Sequence, residues 1–78
     1  MTLATLAEAV FVSSLQPSEH PTAAQVNAAI GRSLQIHGGV GGCAGAFAAE
    51  YGAHPEESAD RMHWALSLVA DAATLVAA

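Results

Sequence analysis

From Pro55 onward, Ala59, Met62, Leu66, Val69, Ala73 and Val76 recur at alternating steps of three and four residues. Only a helix gathers such a series on one side, because its side chains repeat every 3.6 positions. Trp64, Leu68 and Leu75 fall on a second side. The segment therefore reads as one long C-terminal helix that is apolar over more than one face, as expected of a central or dimer-forming helix. Pro55 suits its first turn, where an amide hydrogen has no intrahelical acceptor. Glu56, Glu57 and Asp60 complement the positive end of the helix. Glu57 and Arg61, four positions apart, are placed for an ion pair worth about 0.3 kcal/mol.

Upstream, Thr22-Ala-Ala-Gln25 has the form of a capping box. Val26, Ile30 and Leu34 then make one buried stripe, with Ala23 and Ala29 beside it. Gly31 inside this helix is expected to mark the close approach of another helix, since glycine there costs about 1 kcal/mol relative to alanine. Gly38 ends the helix, and Gly38 to Gly42 reads as a flexible connector. A third helix is expected from about Gly42 to Tyr51, with Cys43, Phe47 and Tyr51 on one side, Ala44, Ala46 and Ala48 allowing close approach, and Gly52 ending it. At the N-terminal end, Leu3, Leu6, Ala7 and Val10 have helical spacing over about Thr2 to Val10. Val10-Phe11-Val12 equally suits extended chain. Residues 1–16 are thus an arm packing Phe11 and Leu15 onto the body, and Pro17 to Pro21 is a linker, because each proline pushes Gln16 or His20 out of the helical region. The expectation is a single all-α domain over 1–78, with a helical body over 22–78 forming a small bundle of three to four helices.

A chain of 78 residues has no room for a dinucleotide-binding sheet or a barrel. Charged residues make up only 12% of it, against about a quarter in an average soluble domain. With so few charges to cover the outside, some apolar surface is expected to meet a protein partner or a second copy, a homodimer first among these. Lys plus Arg is 2, Asp plus Glu is 7, and the net charge is -5, which argues against nucleic acid. The fixed cations are Arg32 and Arg61. Cys43 is the single cysteine, so no intrachain disulfide is possible and a reducing cytoplasm is the expected setting. The N-terminal apolar stretch has no basic residue before it and is broken by Glu8, unlike a signal peptide. No apolar run reaches the roughly 18 residues of a membrane span.

Several segments invite a chemical reading. Gly39-Val-Gly41-Gly-Cys-Ala44 matches a dinucleotide fingerprint in form, but the fingerprint works only after a strand, and the segment before it reads as helix. Cys43 lies near a helix N-terminus, which lowers a thiol pKa, and His37 precedes it closely. A nucleophilic pair needs a third orienting group as well, so Cys43 reads as a small core residue. His20, His37, His54 and His63 include no closely spaced pair of the kind structural zinc sites use. Neither catalytic residues nor cofactor nor metal is expected, and the chain reads as not an enzyme. An acidic helical chain of this length is similar in outline to acyl carrier proteins, but Gly31-Arg32-Ser33-Leu34 has arginine where that family's motif has aspartate, and Ser33 lies inside a helix.

The segment Ala44-Gly-Ala-Phe-Ala-Ala-Glu-Tyr-Gly52-Ala-His-Pro55-Glu-Glu-Ser-Ala-Asp-Arg-Met62 resembles the second and third helices of a tri-helical helix-turn-helix domain. Ala48 and Gly52 would permit its tight turn, and Pro55 would open its recognition helix. The resemblance implies a helix-turn-helix-like pair within the bundle and a DNA-binding regulator as one function. Where such a helix presents cations and amides to DNA, this chain has Glu56, Glu57, Ser58, Asp60 and Arg61. The chain is also similar in character to small actinobacterial helical proteins, a likeness that carries no function. The first expectation is accordingly a small acidic, non-enzymatic protein–protein interaction module, regulatory or a small subunit of an assembly. Its partner-binding residues are Trp64, Leu68 and Leu75 as apolar anchors, with Glu56, Glu57 and Asp60 steering a basic partner.

Overall fold

The structure is a computed structural model that describes the backbone of residues 1–77 and the side chains of residues 1–72. It contains α1 (Leu3–Phe11), α2 (Ala23–His37), α3 (Val40–Ala53) and α4 (Pro55–Ala77), with one turn of 3-10 helix at Pro17–Glu19. Among the described residues there is no strand. Each helix packs against the other three, α1 and α4 most extensively. The chain is an all-α bundle of four helices.

Local chemistry sets the helix ends. The Thr2 hydroxyl accepts from the Thr5 amide at 3.2 Å and opens α1. Thr22 and Gln25 close a reciprocal capping box on α2, with bonds of 3.2 Å and 2.8 Å. Gly38, at φ 78°, is the left-handed residue that ends α2. The expected five-residue connector is shorter than the glycines suggested: Gly39, at φ 94°, already serves as the N-cap of α3, and Gly41 and Gly42 are helical. Gly42 is required there by close approach. A Cβ at this position would overlap the His37 carbonyl oxygen. Gly31 is the opposite case. It faces open space, with nothing near the place its Cβ would take, so it does not mark a helix contact. Gly52 does not end α3, which runs to Ala53.

The core joins Ala7 and Val10 of α1, Val26 and Ile30 of α2, Cys43 of α3, and Ala65, Val69 and Ala72 of α4. The segment Val10-Phe11 is helical, not extended, and Val10 is fully buried. On α4 the inward register differs from the expected seam. Ser58, Ala65, Val69 and Ala72 are buried, Met62 is partly so, and Leu66 is 39% exposed. Small side chains let helix axes approach, whereas a leucine at the contact would hold them apart. Ala73 and Val76 of that seam lie outside the described side chains.

Candidate functional site

The best-defined node of the surface is built around Arg61, in the second turn of α4. Its Nε donates to the Phe11 carbonyl at 2.8 Å, and its Nη2 donates to the carbonyls of Ser13 at 3.1 Å and Leu15 at 3.0 Å. Phe11 is the last residue of α1, where carbonyls have no intrahelical partner and the helix dipole is negative. The guanidinium therefore neutralises the end of α1 and holds the turn that follows it. The turn is tightened from within: the Ser13 hydroxyl donates to the Val10 carbonyl at 2.6 Å and accepts from the Leu15 amide at 3.2 Å. Burial lowers the Arg61 pKa from its ordinary value, yet a guanidinium stays charged at any physiological pH.

Aromatic side chains surround this cation. Its central carbon lies 5.6 Å from the Phe11 ring centre and 4.9 Å from that of Trp64. Phe11 meets Phe47 edge to face at 4.8 Å, and Phe47 meets Tyr51 at 5.8 Å. The expected Glu57–Arg61 pair gives way to these contacts. Glu57 instead lies 3.6 Å from His54, with both side chains exposed, a pairing that adds little stability.

The six residues expected to bind a partner are distributed as follows. Glu56, Glu57 and Asp60 are exposed. Trp64 and Leu68 are partly buried and lean on the core while keeping an accessible side. Leu75 lies outside the described side chains. Glu57, Asp60, Trp64 and Leu68 follow one another at steps of three, four and four, so they share one flank of α4. Leu66 lies on the other flank. Further large apolar side chains are exposed at Met1, Leu3, Ile36, Val40 and Tyr51. Sequence reasoning missed Arg61 as an organising residue, because its acceptors lie 46 to 50 positions away.

Cys43 is 1% exposed, and its Sγ faces the Ser33 carbonyl at 3.6 Å. Burial pushes its thiol above the ordinary range, and the Glu8 carboxylate adds to the shift. The lowering expected from a helix N-terminus is overridden by desolvation. Such a thiol is poorly nucleophilic at neutral pH.

Two adjacent grooves share Val12, Ser13 and His37. One, of about 510 Å³, lies between the turn after α1 and the outer face of α2, with Leu15, Ala29, Ile36, Arg32 and His37 among its walls. The other, of about 480 Å³, opens beside Arg61 and is lined by Glu50, Glu57 and Ser58 as well. The buried Ser58 hydroxyl has no hydrogen-bond partner among the described residues. No helix is long and apolar enough to cross a membrane among the described residues. No protein-family model, no curated protein and no solved structure matches this chain.

Proposed function

We propose that this chain is a small acidic, non-enzymatic protein–protein interaction module that works through the outer surface of α4. The observation that supports this reading is that α4 keeps apolar and acidic side chains accessible although its core positions are filled. Ser58, Ala65, Val69 and Ala72 face the core, while Leu66, Glu56, Glu57 and Asp60 are exposed. The flank carrying Glu57, Asp60, Trp64 and Leu68 combines carboxylates with the accessible sides of a tryptophan and a leucine, which suits a basic protein partner. Leu75, the third apolar anchor proposed for the partner, lies outside the described side chains. The opposite flank, with Leu66, suits a second copy of the chain. The test is solution mass by light scattering across a dilution series, for the parent and for Leu66→Asp. A dimer that dissociates in the variant supports self-pairing. A monomer at every concentration removes self-pairing and leaves the heterologous partner, which the triple reversal Glu56→Lys, Glu57→Lys, Asp60→Lys would then fail to bind.

A DNA-binding regulator is the second reading, favoured by the direct succession of α3 and α4 through His54 alone. The exposed carboxylates at the start of α4 repel a phosphate backbone, so it ranks below the first. Binding to duplex DNA that weakens steeply with salt would reverse that order.

A further inference from the structure

The groove between the turn after α1 and the outer face of α2 differs from the rest of this acidic chain in its charge. Asp plus Glu number 7 in the sequence, and none of them lines this groove. Arg32, one of the chain's two fixed cations, does line it. Arg32 is exposed and makes no ion pair among the described residues. The carbonyl of Phe11 at the end of α1 and those of Ser13 and Leu15 in the turn after it accept from Arg61. The remaining lining joins an apolar track, from Val12 and Leu15 across Ala28 and Ala29 to Ile36, which is 70% exposed, with the polar Ser13, Ser14, Gln25 and Ser33.

From this we infer that the groove binds a small amphipathic anion, namely a single alkyl chain bearing one carboxylate. The alkyl chain would lie along Val12, Leu15, Ala29 and Ile36, and the carboxylate would pair with the Arg32 guanidinium, whose planar fork matches two oxygens. The volume of about 510 Å³ is that of a small-molecule site. The neighbouring groove beside Arg61 is a poorer candidate for an anion: Glu50 and Glu57 line it, and most of its cation's reach is committed to carbonyl oxygens. The inference is independent of the partner surface on α4, since none of its residues belongs to that helix.

The test is a titration of the isotope-labelled protein with sodium decanoate below its micelle concentration, followed by amide chemical shifts, with decyltrimethylammonium as the cationic control. The expected result is saturable shifts confined to residues 12–15 and 25–37, with decanoate bound at least about tenfold more tightly than the cation. Arg32→Glu should lose about the same factor, and because Arg32 is exposed this variant keeps its fold. Ile36→Ser, at a position that is 70% exposed, should weaken the alkyl contact without adding charge and leave the spectrum of the free protein otherwise unchanged. Equal binding of the two detergents, shifts centred on α4, or no saturation would each overturn the assignment.

Discussion

Arg61 and Phe11 are joined by a hydrogen bond of 2.8 Å from the guanidinium Nε to the main-chain carbonyl, across fifty positions of sequence. The same side chain lies over the Phe11 ring. One residue thus ends α1, fixes the turn through Leu15 and ties both to α4. Arg61→Met keeps the apolar stem and removes the donors, and should cost about 2–4 kcal/mol, since hydrogen bonds from a charged group contribute more than neutral ones. Arg61→Lys should recover only part of this, lacking the planar fork. Urea denaturation measures both; a loss below about 1 kcal/mol for the methionine variant would show that the clamp is dispensable.

Two glycines should respond in opposite directions. Gly42→Ala brings a methyl group onto the His37 carbonyl and should destabilise by about 1–3 kcal/mol through backbone displacement. Gly31→Ala meets open space within α2 and should stabilise by about 0.5–1 kcal/mol. Thermal melts of the two variants beside the parent decide this; a destabilised Gly31→Ala would return that glycine to a helix contact.

Adjacent positions on α4 should also part company. Ala65 is fully buried, so Ala65→Leu should overpack the bundle and cost about 1–3 kcal/mol. Leu66→Asp should cost the monomer less, about 0.5–1.5 kcal/mol, because Leu66 is 39% exposed and aspartate is the poorer helix former. Calorimetry at a concentration where the protein is monomeric separates folding from self-pairing. Unfolding of Leu66→Asp under those conditions would contradict the inward register described above.

The buried thiol gives a dependence on alkaline pH. The folded-state pKa of Cys43 is raised, so the folded protein holds that proton more tightly than the unfolded chain. Its contribution to stability is complete below the ordinary thiol pKa and declines as pH rises through the folded value. The urea midpoint should therefore fall at alkaline pH in the parent and fall less in Cys43→Ala, although the alanine variant starts lower for its lost packing. Parallel curves for the two proteins would show that the thiol does not contribute to that decline.

The helical class, the caps at Thr22, Gln25 and Gly38, and the stripe of Val26 and Ile30 could all be read from the sequence, because each depends on residues within four positions of one another. The acidic residues Glu56, Glu57 and Asp60 could be placed on the surface for the same reason, since carboxylates stay in water unless something pairs with them. Which side of α4 turns inward could not be read that way. Periodicity marks the apolar residues of a helix, but the distance between helix axes selects among them, and here it keeps Val69 of the expected seam and adds Ser58, Ala65 and Ala72 in preference to the larger Leu66. Arg61 shows the same division. Its sequence neighbours offer a carboxylate at Glu57, yet the carbonyls at the end of α1 hold it, because only the packed bundle brings unpaired acceptors within its reach. The groove at Arg32 likewise has no local signature: its walls are residues 12–15 and 25–37, and the docking of α1 against α2 is what sets them face to face.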